Sequence, residues 1–248
     1  MRLRQVALVA KNLVPVKKKV FTLLGLQSDY EDKGVDEFGL RNSVMAMGDT
    51  FLEVVSPMRG GTTAGRLLER RQGDGGYMVL AQVDDLCEIS ERTNIHKVRK
   101  IWEIERPEVK AFHVHPKDMG AAIVSFDQMT PPENWVWGGP GWRERLASYV
   151  GNITACDLQS SNPESLAKRW SEVFSKDLVN KNNKIMMALD HDSAINFVKA
   201  TDGRGDGVSA VEFDPLDANA IRHAADVLHL AWCDNEVELC GIRFRFRF

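Results

Sequence analysis

Glu53 lies in an apolar run, Phe51-Leu52-Glu53-Val54-Val55, that reads as a β-strand. Side chains alternate faces along a strand, so Glu53 shares a face with Phe51 and Val55. A carboxylate enclosed on such a face has its pKa raised by desolvation unless it is paired, which suits a general base. His113 and His115 are two residues apart and would share a strand face. Such a pair can chelate a metal or polarise a carbonyl. Pro116, Lys117 and Asp118 follow at once, so His115 belongs at a turn and the pair is expected to serve a hairpin. His191 sits between Asp190 and Asp192, but adjacent strand residues point to opposite faces, so a polar turn is expected there. Residues 201–207 (TDGRGDG) lack the oxygen spacing and closing Glu of a calcium loop and read as a turn. Arg66, Arg70 and Arg71 lie between glycine clusters that have no Gly-Lys-Ser/Thr phosphate-loop pattern. They are expected on a solvated helix face, with phosphate contact as the alternative. The tail 243–248 (RFRFRF) alternates strictly. It is expected as a half-buried strand with an exposed cationic side that blunts a sheet edge.

The elements that must position these residues recur. A β-like run leads into a helix-like run four times: 5–10 then 13–24, 78–83 then 85–93, 153–158 then 163–174, and 208–213 then 218–230. Two or three extended segments follow each helix. Gly48-Asp49 between two apolar runs is a hairpin signal. Gly25 can close the first helix. In the third, Asn162 can cap, Pro163 fits the first position, and Leu166, Ala167, Trp170, Val173 and Phe174 recur at helical spacing. Residues 58–76 and 130–145 read as connectors. The second is rich in Pro and Gly and carries Trp135, Trp137 and Trp142. A domain boundary is expected near Ala147, giving units 1–147 and 148–248.

The 248 residues are 44% hydrophobic and 27% charged, which excludes a disordered, collagen-like or coiled-coil chain. With 32 basic and 35 acidic side chains, net charge −3, nothing favours a nucleic acid or an anionic membrane as partner. The first apolar run is too short for a signal-peptide core. Cys87, Cys156, Cys233 and Cys240 have no CxxC spacing, so reduced thiols in a cytoplasmic protein are expected.

Four β-α-β units with these sequences resemble the vicinal oxygen chelate superfamily, which includes glyoxalase I, bleomycin-resistance proteins and extradiol dioxygenases. Residues 5–13 (QVALVAKNL) are similar to its opening strand, and 48–57 (GDTFLEVVSP) to the last strand of its first module. Residues 62–86 and 112–126 resemble the connector and closing hairpin of the methylmalonyl-CoA epimerase and glyoxalase-like members. The resemblance covers 1–127. It implies an α+β fold of four modules paired into two incomplete barrels, with the second half degenerate. It also implies a concave active site with four metal-ligand positions, here Gln5, Glu53, Met78 and Ser125. A thioether and a hydroxyl are poor partners for hard divalent ions. No cofactor is therefore expected, and if a divalent metal binds at all, Gln5 and Glu53 would hold it. In the second half the equivalent positions fall near Ala155, Phe197 and Gly207, none a ligand.

Two readings follow from the resemblance. In the first, the protein is a lyase or isomerase that removes a proton next to the carbonyl of a small acyl thioester or carbonyl acid. Glu53 is the base, Gln5 orients it or holds a carbonyl, and Gln5, Ser125 or His113 supplies hydrogen bonds to the oxyanion. In the second, it is a metal-free binding protein of the bleomycin-resistance type, with Met78, Phe51, Met45, Met47 and the connector tryptophans lining or covering an apolar pocket. Either way the partner is a small molecule, and the chain is a monomer or a homodimer.

Overall fold

The computed structural model describes residues 1–181 and 184–248. Its first half runs β1 (Arg2–Val9), α1 (Leu13–Leu24), a 3-10 turn (Lys33–Phe38), β2 (Leu40–Met47), β3 (Thr50–Pro57), α2 (Thr63–Arg71), β4 (Gly75–Gln82), α3 (Leu86–Ile95), β5 (Lys100–Arg106), β6 (Val109–Val114), α4 (Pro116–Met119) and β7 (Ile123–Met129). The second half runs β8 (Val150–Ser160), α5 (Pro163–Phe174), β9 (Leu178–Lys181), β10 (Lys184–Leu189), β11 (Ser193–Lys199), β12 (Gly207–Pro215), α6 (Ala218–Val227), β13 (Glu236–Leu239) and β14 (Ile242–Phe246).

Each half forms one open seven-stranded sheet, ordered β2-β3-β1-β4-β7-β6-β5 and β13-β14-β12-β8-β11-β10-β9. The two central strands of each sheet, β1 with β4 and β8 with β12, run antiparallel. Each pairs in parallel with the last strand of its own unit. The expected α+β architecture of four β-α modules in two incomplete barrels is therefore what the chain adopts.

The local signals act where expected. Gly25 ends α1 in the left-handed region at φ 71°, which glycine adopts without a Cβ clash. Asn162 caps α5 by accepting from Ser165 N. The apolar stripe of α5, centred on Trp170, enters a core shared by both halves. That core joins Val6, Leu52, Val79 and Val124 of the first sheet to Cys156, Val211, Phe213 and Phe244 of the second. One face of each sheet is thus committed to this core and the opposite face is left for other uses.

Several expectations are corrected. Within the connector 58–76 the expected helix is α2, which Thr62 Oγ1 caps by accepting from Gly65 N. Arg71 does not join the solvated face of that helix. It is buried, and its guanidinium donates to the carbonyls of Arg204, Gly205 and Asp206, so the loop read as a free turn is wrapped around it. The turn at His115 is a short helix, capped by His115 Nδ1 accepting from Lys117 N. In the tail, β14 is an inner strand between β13 and β12, so its arginines blunt no edge. β9 went unseen because its four residues, LVNK, carry no alternation.

The halves pack against each other where β4 crosses β12. A Cβ built on Gly76 would lie 2.2 Å from Val208 Cβ. Gly76→Ala is expected to lower stability by about 1–3 kcal/mol through overpacking, read as a lower urea midpoint. A change within error would show that the sheets separate freely at this point.

Candidate functional site

The free face of the first sheet is a cup. Two β-bulges shape its floor. The pairing of β1 with β4 skips Arg4, which places Arg4 beside Gln5 on the cup side. The same ladder skips Tyr77, so Tyr77 and Met78 both join the cup-side cluster. Around them stand Asn42 and Val44 from β2, Phe51 and Glu53 from β3, Ala7 from β1, Leu80 from β4, Ser125 and Asp127 from β7, and His113 from β6.

Glu53 is 7% exposed and held from two sides. Gln5 Nε2 donates to its Oε2 at 2.9 Å, and Asn42 Nδ2 donates to its Oε1 at 2.6 Å. Both amides are themselves fixed. Gln5 Oε1 accepts from Trp135 Nε1 at 2.8 Å, and Asn42 Oδ1 accepts from Asp32 N at 2.9 Å. Burial pushes the Glu53 carboxyl up from 4.5 to about 7, the two amide bonds pull the other way, and the Asp32 charge adds to the rise.

The segment after β7 covers the cup. Trp135 stacks on Phe51 at 6.1 Å, and Trp142 meets Phe51 edge-on at 5.1 Å. The buried Arg4 guanidinium lies 5.5–5.7 Å from the rings of Phe51, Trp135 and Trp142 and pairs with Asp49 at 2.9 Å. A desolvated cation against ring faces is an attractive contact, so Arg4 pins the cover down.

A second carboxyl, Asp127, was not a sequence candidate, although it alternates with Ser125 on β7. It is buried, its Oδ1 accepts from Trp137 Nε1 at 2.8 Å, and burial raises it from 3.8 to about 7. Its other oxygen, the Ser125 hydroxyl and Gln82 Oε1 make no hydrogen bond of ordinary geometry among the described residues, though the nearby Ser125 hydroxyl holds the Asp127 rise down. Ser125 pairs in register with Leu80 and His113, and Asp127 with Gln82. Buried unpaired polar groups cost about 1–3 kcal/mol each, so such a strip is where water or ligand polar atoms belong. His113 packs 4.3 Å from Trp102, and burial lowers it to about 4, leaving the ring neutral at pH 7. His115, by contrast, only caps its short helix.

The structure thus joins Gln5 to Glu53 directly and sets Phe51 under the tryptophans. Met78, Ser125 and His113 lie across the same face, whereas Met45 and Met47, expected at the pocket, alternate to the opposite side and face the shared core. Asn42, Asp127 and Tyr77 were missed because a lone polar residue in a strand carries no sequence signal of its partner across the sheet. The donor set fits a divalent ion poorly. Both Glu53 oxygens and Gln5 Oε1 already accept N–H groups, and Met78 offers only a thioether. Among the described residues no three His, Cys, Asp or Glu side chains group as metal ligands.

The equivalent face of the second sheet is filled differently. Asp157 is buried, receives Arg245 Nη2 at 2.9 Å and Asn196 Nδ2 at 2.9 Å, and has Arg243 at 3.8 Å. Arg245 also reaches Glu236 at 3.1 Å. The tail is therefore not a bare cationic surface but one side of an ion-pair cluster. Phe197, taken above as near a ligand position, faces the shared core instead, and its neighbour Asn196 faces this cluster.

No family model matches the sequence, and no curated protein matches it. Solved structures do match. A hypothetical protein from Staphylococcus aureus superposes with a TM-score of 0.67 at 12% identity, covering 99% of this chain and 98% of that one. A mutant 4-hydroxymandelate synthase from Streptomyces coelicolor superposes with a TM-score of 0.69 at 13% identity, covering 93% and 75%. At these identities the likeness is one of fold, and it agrees with the module order that the sequence resemblance implied. A methylmalonyl-CoA epimerase from Mycobacterium tuberculosis also matches, over 52% of this chain and 87% of that one, at 20% identity and a TM-score of 0.45. In this fold the first cup holds a covered carboxylate–amide cluster, Glu53 with Gln5 and Asn42, at two of the four positions that the resemblance assigned to ligands.

Both cup carboxyls bind a proton more tightly folded than unfolded. Each therefore contributes stability that is full below its unfolded pKa, near 4, and is lost as pH rises towards 7. Asp127→Asn should gain stability relative to the wild type between pH 4 and pH 8, by on the order of 3 kcal/mol, whereas Glu53→Gln sets an N–H against the fixed donor of Gln5 or Asn42 and should gain less. Urea midpoints across that range measure it; parallel pH profiles for wild type and variants would show that the carboxyls titrate normally.

Proposed function

We propose that the first cup is the active site of a lyase- or isomerase-type enzyme that removes a proton next to the carbonyl of a small acyl thioester or carbonyl acid. The observation that carries this is the state of Glu53, a buried carboxyl raised to about 7 and aimed by two fixed amides. A base poised near the working pH is half deprotonated and still strong enough to accept a carbon-bound proton. In the reaction, Glu53 takes the α-proton and the C–H electron pair moves onto the carbonyl oxygen as an enolate. Ser125 and the protonated Asp127, whose outer oxygen is unpaired, donate to that oxygen. Return of the proton to either face gives isomerisation, and departure of a β-substituent gives elimination. Gln5 and Asn42 are positioning residues. The cover carrying Trp135 and Trp142 excludes water and must lift to admit substrate.

The second reading, a metal-free binding protein, is favoured by the apolar lining of Phe51, Met78, Trp135 and Trp142. In both readings we assign the site to residues 1–147, with 148–248 as a structural partner whose own cup is filled by ion pairs.

Exchange of the α-hydrogen in deuterium oxide, followed by mass spectrometry over a panel of acyl thioesters and carbonyl acids, tests the choice. Wild type should catalyse exchange with at least one compound, and Glu53→Gln should slow it about 10²–10⁴-fold while binding persists. Tight binding without exchange across the panel supports the binding reading.

A further inference from the structure

Tyr77 has a place in the cup that proton transfer at Glu53 does not use. It is the bulge residue of β4 and is only 7% exposed; its hydroxyl makes no hydrogen bond to the described residues and is not one of their fully buried polar atoms. It lines a cleft of about 320 Å³ together with Phe38, Arg59, Gly60, Gly61, Thr62 and Thr63. No carboxylate is among these residues. Burial, with the Glu53 charge adding to it, raises the Tyr77 pKa to about 12, so the hydroxyl remains a donor at every ordinary pH.

The rest of the wall is also made of donors. Residues 60–63 lead into α2, so the first free N–H groups of that helix lie at the cleft, where anions are favoured. Gly61 holds φ at +76°, which glycine adopts without penalty. A Cβ built on Gly60 or Gly61 would meet nothing within 4 Å, so these glycines leave open space in front of the backbone. Arg66 braces the loop, donating to Gly61 O at 2.7 Å and Thr63 Oγ1 at 2.9 Å. Neither Arg59 nor Arg66 has an acidic partner among the described residues. The helix terminus is one observation, and the unpaired, nine-tenths buried Tyr77 is a second and independent one.

We infer that this cleft is an oxyanion subsite, in which Arg59, the backbone amides of 60–63 and the Tyr77 hydroxyl hold a phosphate or carboxylate group of the ligand whose reacting carbon lies at Glu53. The site then has two ends: a donor-lined mouth for the anionic end of the ligand and an apolar, tryptophan-covered floor for its acyl end. Tyr77 joins them, since it faces the cleft and belongs to the same bulge as Met78. The placement of the ligand's reacting carbon rests on the function proposed above; the binding of an anion in the cleft does not.

The test is a titration of the full chain with inorganic phosphate, and separately with acetate, watched through the backbone amide resonances. Saturable shifts confined to residues 59–65 and 77 are expected with at least one of them, and the stronger of the two identifies the group. Arg59→Ala and Tyr77→Phe should each weaken binding about 10-fold, the loss expected for one charge-assisted or one buried hydrogen bond. Both leave Glu53 and its amides intact. No saturable shift, or shifts spread over surface basic residues and unchanged in Arg59→Ala, overturns the inference. In the exchange assay, Arg59→Ala should raise KM for a thioester bearing a phosphorylated tail and leave that of a short neutral thioester unchanged; equal KM changes for both also overturn it. Anion binding without exchange activity sustains the subsite and removes the proposed reaction. Exchange that depends on Glu53 with no anion binding does the reverse.

Discussion

A carboxylate taken out of water must either be given donors or keep its proton, and the cup is organised around that constraint at Glu53. Burial alone would leave Glu53 neutral and inert. Gln5 and Asn42 return part of the lost solvation, and the balance leaves the group near neutrality of pH rather than far above it. The arrangement depends on backbone register. β1 lies parallel to β3 with Ala7 opposite Glu53, so Gln5 sits one pleat away on the same face. β2 lies antiparallel on the other side, with Val44 opposite Glu53 and Asn42 one pleat away. A one-residue slip of either strand would turn its amide into the shared core.

The cover is tied to the same point. Trp135 donates to Gln5 Oε1, which fixes the amide with its Nε2 turned to Glu53. Arg4, displaced onto the cup side by the bulge, holds the tryptophans by its ring contacts while Asp49 balances its charge. Closure of the cup and orientation of the carboxylate are thus one hydrogen-bonded unit. Asp127 repeats the theme at the far side with Trp137, but with one oxygen left unpaired.

The second sheet shows what the same scaffold becomes without that arrangement. Its buried acid, Asp157, is answered by two arginines and an amide, so its face is electrostatically complete. Its opposite face supplies half of the common core. Arg71, driven into the loop 204–206, and Gly76, pressed on Val208, join the halves within a few residues of Tyr77 and Met78. The second half thus packs against the back of the first cup close to its floor.

Much of the fold was legible in the sequence because its signals are local. Gly25, Asn162 and Pro163, the Gly48-Asp49 turn and the helical spacing around Trp170 each act through their own backbone or one helix face. The alternation of 243–248 gave the strand and its buried side. At the site, the positions of Gln5, Phe51, Glu53, Met78 and Ser125 followed from likeness to a known module order, not from composition. What tertiary structure alone decided was pairing across strands distant in sequence. It gave Glu53 its second amide from Asn42, made Asp127 a raised, half-satisfied acid, moved Tyr77 onto the cup side, buried Arg71 and neutralised Arg243 and Arg245. Local propensity and alternation fix which residues point to a face, and the sequence carries these directly. Which residues meet on that face depends on register, bulges and desolvation, and these exist only once the sheets are packed.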